Sequence, residues 1–97
     1  MRGIVVMSFH GRFALHRQDS GLFRYIHDAG WAIIKAEYDR IGFGYCDYEG
    51  QIGYGISVIK LSWMSSLVEA RSDSRLLTLV ETAWDAHHDI VAIQKIA

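Results

Sequence analysis

Between Gly42 and Gly55 the chain reads Gly-Phe-Gly-Tyr-Cys-Asp-Tyr-Glu-Gly-Gln-Ile-Gly-Tyr-Gly, a segment holding five of the nine glycines and four of the twelve aromatic residues. Aromatic side chains favour the pleated, half-buried surface of a strand, and glycine supplies turns and close backbone approaches. The pattern predicts a β-hairpin that turns near Glu49-Gly50. It is also the one local pattern in the chain that bears on function.

Register decides what this hairpin presents. With a two-residue turn at Glu49-Gly50, Ile41, Phe43, Tyr45 and Asp47 lie opposite Val58, Ile56, Tyr54 and Ile52, because directly opposed residues share a face. The bulk then gathers on one face, expected to be the core. Gly42, Gly44, Cys46, Gly53, Gly55 and Ser57 are left on the other. A three-residue loop, Glu49-Gly50-Gln51, slips the pairing so that Phe43 and Tyr45 share a face with Ser57 and Gly55, as an exposed stacking platform requires. The two-residue turn separates large from small residues more cleanly and is the expected register.

The rest of the chain predicts strands and helices around this hairpin. Gly3 to Phe9 is a continuous β-branched apolar run, as expected of a strand buried on both faces or central in a sheet. Arg12 to His16 reads equally as a strand extension or a loop. Gln18-Asp19-Ser20 offers N-cap chemistry for a helix carrying Leu22, Ile26, Ala29 and Ile33. Gly30 then reads either as a left-handed helix cap that frees Trp31 to Tyr38 for a strand, the preferred reading, or as a glycine inside a helix.

Beyond the hairpin, Ser66 and Glu69 have capping-box spacing, with Trp63 and Met64 allowing an earlier helix start. From Ser74 on, Leu76, Leu77, Val80, Ala83, Trp84 and His87 form one helical stripe, and Ile90 to Ile96 reads as a last strand. The expected fold is therefore α+β, a ferredoxin-like two-layer sandwich: an antiparallel sheet with two main helices packed on one face. One small globular domain, 1–97, is expected at this length.

Composition narrows the function classes. With 51% hydrophobic and 22% charged residues the chain lies far from the signature of disorder. No apolar run reaches membrane-spanning length, and the start is too short for a secretory leader. A soluble, cytoplasmic protein is expected. The single cysteine, Cys46, excludes an internal disulfide and fits a reducing compartment. A net charge of −1 argues against a strong electrostatic nucleic-acid binder. Its distribution is uneven: residues 1–27 carry four arginines against Asp19, and residues 28–59 carry five acids against Lys35 and Arg40.

No catalytic signature, metal motif or cofactor-binding motif is present. The five histidines show no zincin spacing, and Glu81, Asp85 and His88 read as a solvated helix face. Cys46 reads as a small hydrophobe in a strand. The segment Gly42-Phe-Gly-Tyr-Cys-Asp-Tyr48 resembles the RNP1 element of RNA recognition motifs, whose strand aromatics stack on bases. The likeness covers seven residues, with Ile41 at the leading basic position and no aromatic at Val5 or Met7 for the companion element. It implies single-stranded RNA binding through Arg40, Phe43 and Tyr45.

The leading expectation is a small non-enzymatic interaction protein that regulates a larger protein assembly, of the kind carried by phages and other mobile elements. Its contacts are expected at Gly42, Gly44, Tyr48, Gln51, Gly53 and Gly55, or at a bare sheet face or edge strand. The partner is another protein or a second copy of the chain, with nucleic acid as the alternative.

Overall fold

A computed structural model describes residues 3–85 and 87–96. Arg2, counted above in the basic N-terminal third, lies outside the described residues. The chain is an α+β domain: β1 (Ile4–Phe9), α1 (Arg12–Asp19), α2 (Asp28–Ile41), β2 (Phe43–Asp47), β3 (Gly55–Ile59), α3 (Leu61–Glu69), β4 (Ser74–Trp84) and β5 (His88–Lys95).

The polar triplet at 18–20 ends a helix instead of starting one. Ser20 is the C-cap of α1, and the Gly21 and Leu22 amides donate to the Gln18 and Arg17 carbonyls at 3.1 and 2.9 Å, the paired hydrogen bonds of a Schellman motif. The Gln18 side chain then ties down the following loop, donating to the Ile26 carbonyl at 2.6 Å and accepting from the Tyr25 amide at 2.8 Å. Asp19 reaches the next helix, accepting from Trp31 Nε1 at 2.8 Å.

Gly30 lies inside α2, so Trp31 to Tyr38 is helix and not strand. The segment satisfies both periodicities, and the helical one wins because Trp31, Ile34 and Tyr38 form a single buried stripe. Gly42 ends the helix in the left-handed conformation, φ 86°, with its amide on the Tyr38 carbonyl at 2.9 Å.

The hairpin forms with a longer loop than expected. Tyr48 pairs with Tyr54 around residues 49–53, and Tyr45 lies opposite Ser57, Phe43 opposite Ile59 and Cys46 opposite Ile56. The two-residue register is thereby overturned. Gly44, Cys46, Ile56 and Val58 face α2, and Phe43 and Tyr45 take the other face, the parity of the three-residue alternative. Gly44 decides this choice. A Cβ there would collide with the Ile34 carbonyl, so only glycine lets α2 lie this close to β2.

The segment expected as a second long helix is β4, an eleven-residue strand. It shifts register between Leu76 and Thr78 and again between Val80 and Trp84. Each bulge adds residues that break the period-two alternation, which leaves apolar positions at spacings that imitate a helix. Ser66 and Glu69 do not form a capping box; α3 starts after Lys60, and Ser66 lies in its interior.

The five strands fall into two sheets, β1-β5-β4 and β2-β3, all paired antiparallel. They meet at one parallel bridge between His10 and Val58, where the Ile59 amide donates to the His10 carbonyl at 2.8 Å. A ferredoxin-like sandwich has both helices on one face of a single sheet. Here α2 covers one side of the hairpin, in a core of Ile26, Trp31, Ile34, Tyr38, Ile56 and Val58. On the opposite side α3 covers the three-stranded sheet, in a core of Phe9, Ile59, Met64 and Val91.

The offset cores stretch the molecule. Its extents are 44 × 25 × 23 Å and its radius of gyration is 14.5 Å, against about 12.5 Å for a compact chain of this length. Its accessible surface of 6191 Å² likewise exceeds the roughly 5,600 Å² of a typical 11 kDa monomer.

Candidate functional site

The sequence-predicted contacts divide when placed in the fold. Gly42 and Gly44, expected on an exposed face, are buried beneath α3 and α2 respectively, and Gly55 lies against the Cys46 backbone. Gln51 and Gly53 are exposed in the hairpin loop, and Tyr48 is half-buried with its ring edge-on to Tyr54 at 5.2 Å. The glycines are therefore spent on internal packing more than on contact.

Of the residues named for RNA binding, Phe43 and Tyr45 share one face of β2 and Arg40 lies in the last turn of α2. Phe43 packs on Trp63 of α3, ring centres 4.8 Å apart, and is half-buried. Tyr45 is exposed, but its hydroxyl donates to Asp47 Oδ1 at 2.7 Å, which pushes its own ionisation up. The Arg40 guanidinium is held by Glu37, one turn back on α2. A phosphate approaching Tyr45 meets the Asp47 carboxylate first. Cys46 is half-buried, its thiol directed at the Asp47 carbonyl at 3.4 Å.

A larger feature is the side of the β1-β5-β4 sheet opposite α3. Pairing aligns Ile4, Val6 and Ser8 with Gln94, Ala92 and Ile90, and these with Arg75, Thr78 and Val80, while Trp84 pairs with His88. All share one face. No helix of the described residues packs over this side. Ile4, Val6 and Trp84 are 60%, 63% and 59% exposed, and Val80 is exposed too. Arg75 is the one Asp, Glu, Lys or Arg among these residues, and its Nε donates to Gln94 at 2.9 Å. Sequence reading missed this face because it took β4 for a helix.

One end of the face is closed by aromatic rings. His10 lies 4.5 Å from His88 and edge-on to Tyr25 at 5.3 Å, measured between ring centres. Tyr25 shares a 2.6 Å hydrogen bond with His87 Nδ1, Phe23 packs on both, and Trp84 lies 5.5 Å from His88. Burial, with His88 and His87 nearby, lowers the His10 pKa to about 4, so its ring is neutral at pH 7. The loop before α2 brings Phe23 and Tyr25 to histidines far away in sequence, which no local spacing announces.

Beneath the cluster lies Asp89, only 1% exposed. Its Oδ1 accepts the Thr82 amide at 2.8 Å, holding the second bulge of β4, where Thr82 has φ 51°. Burial pushes the Asp89 carboxyl up. Glu81, in the same bulge, accepts from Arg12 Nε and Nη2 at 2.6 and 2.9 Å. The predicted helical trio of Glu81, Asp85 and His88 is thus distributed over a bulge, a turn and the start of β5. Among the described residues no group of three His, Cys, Asp or Glu side chains is placed to hold a metal ion. No helix of the described residues is long and apolar enough to cross a membrane.

Comparisons with protein-family models, with curated proteins and with solved structures each find no match to this chain.

Proposed function

We propose that this protein is an interaction module that binds another protein through the open side of its β1-β5-β4 sheet, and so regulates a larger assembly. The observation that carries the reading is that side itself: Ile4, Val6, Val80 and Trp84 stand exposed together, with Arg75 alone bearing a charge. An apolar patch with an aromatic anchor and few charges has the composition of a protein interface core. Trp84 is its natural anchor, since truncated interface tryptophans are commonly among the residues that matter most.

The partner chemistry follows from the same residues. A nucleic acid requires clustered cations, and this side offers one. Single-stranded RNA binding through Arg40, Phe43 and Tyr45 draws its support from the exposed Tyr45 ring, and has Asp47 and the Arg40–Glu37 pair against it.

The test is capture from a cognate lysate by the wild-type chain and by Trp84→Ala, followed by titration of the captured protein. Trp84 is exposed, so the variant is expected to keep its far-ultraviolet spectrum. Loss of one large anchor weakens binding by roughly 30-fold or more. Equal affinity of the two chains for the captured protein would sink the proposal. So would an eluate holding RNA and no protein, released by salt or by Phe43→Ala.

A further inference from the structure

The strand Ile-Val-Val-Met-Ser-Phe of β1 has the composition of a strand flanked by neighbours on both edges and covered on both faces. Its position contradicts that composition. β5 pairs with one edge, whereas the other edge has a single bridge, at His10, with Gly55 to Ser57 of β3 flanking Met7 to Phe9 across a pocket and no described strand paired to Ile4–Val6. Ile4, Val5, Val6 and Met7 are 60%, 54%, 63% and 40% exposed, so both faces of the strand meet solvent. Nothing in Ile4–Phe9 blunts the edge: there is no proline, no charge and no register shift.

The requirement on whatever covers this edge is specific. Inward-pointing residues of an added strand meet a mostly apolar pocket of about 390 Å³ beside β1, lined by Val5, Met7, Leu67, Val68 and Ile93 and also by Arg71, Asp73 and Lys95. Residues pointing the other way adjoin Ile4 and Val6 on the open side. A strand that is apolar on both faces fits the N-terminal half of β1, clear of β3. β1 itself meets that description.

We infer that the occupant is a second copy of this chain, its β1 pairing antiparallel with the first. This rests on the interaction-module reading and names one partner of that same sheet. A two-fold axis perpendicular to the sheet keeps both open sides together and pairs residues of equal parity, so Ile4 and Val6 of each copy lie side by side. The sheet becomes six strands, β4-β5-β1 continued by the partner's β1-β5-β4. The two patches, each with its Trp84, merge into one. A net charge of −1 per chain puts little repulsion between the copies. Pairing through β1 would bury part of the surface excess described above.

The experiment is sedimentation equilibrium of the full chain over a hundredfold concentration range, with amide exchange of residues 4–8 at its two ends. The wild type is expected to reach twice the 11.0 kDa chain mass, and exchange at 4–8 to slow as it does. Val5→Lys puts a charge on the α3-facing side of the edge, away from Trp84, and is expected to remain a monomer. Trp84→Ala is expected to remain a dimer. A wild type that sediments as a single chain with concentration-independent exchange overturns the inference. So does a species larger than two chains, or a Val5→Lys chain that is folded and still dimeric. Monomers that capture a protein through Trp84 sink the pairing and leave the proposed function. A dimer that captures nothing does the reverse.

Discussion

Gly44→Val is expected to lower the unfolding free energy by about 3–5 kcal/mol, a large part of the roughly 5–15 kcal/mol available to a domain of this size. The clash is with backbone. A Cβ on residue 44 falls on the carbonyl of Ile34, and the nearest atoms after it are the Ile34 carbonyl carbon and Cα, none of which rotates away. Overpacking alone typically destabilises by about 1–3 kcal/mol. Here relief requires lifting α2, and α2 carries Trp31, Ile34 and Tyr38 into the core it shares with Ile56 and Val58. The added loss is the burial of those side chains. Urea unfolding followed by tryptophan fluorescence reads the effect directly. A Gly44→Val midpoint equal to that of the wild type would show that α2 does not rest on β2.

Acidification is the second large lever, and it acts through His10. The ring has a pKa of about 4 in the fold against 6.5 when free, because it is half-buried against Tyr25 and lies next to His88 and His87. A lowered folded value means that the unfolded chain takes the proton more readily. Stability is therefore complete above pH 6.5 and is lost progressively as the pH falls toward 4. The full shift corresponds to about 3.4 kcal/mol. Solvent screening of a half-exposed ring reduces this to about 1–2 kcal/mol.

Asp89 works in the opposite sense. Its carboxyl is raised by burial, so its folded form gains stability as the pH falls through that raised value. Glu81, the other acid packed there, is paired to Arg12. Urea midpoints between pH 7.5 and 4.5 are expected to fall for the wild type and to stay nearly level for His10→Gln down to pH 5. A His10→Gln profile parallel to the wild type over that range would remove His10 as the cause.

The places where sequence reading succeeded and failed share a physical pattern. The hairpin and the C-terminal strand were legible because their residue types fit a pleated surface and little else. The hairpin's register was not legible. Separation of large from small residues between its own two arms favours one register, whereas α2, which needs the Gly44 side bare, imposes the other. The segment 31–38 satisfied two periods at once and was resolved only by the stripe that meets β3. In β4 the bulges at Leu77 and at 81–83 scrambled the alternation that marks a strand. A bare sheet side and an edge strand both occur, but their places on β1 and β4 follow from pairings between residues far apart in the chain.

What the amino-acid sequence determined by itself is local: where the chain turns, that Gly42 to Gly55 folds back on itself, that residues 3–9 and 90–96 are extended, and that the class is α+β. These follow from backbone freedom and side-chain shape, which act within a few residues. Tertiary structure alone decided which faces are covered. A strand's alternation states that it has two sides, yet only packing assigns a helix to one of them, and here α2 and α3 went to opposite sides of a sheet broken in two. That division buries the glycine-rich hairpin's small residues, gathers His10, Tyr25, His87 and His88 at one end, and leaves β1 open along its edge.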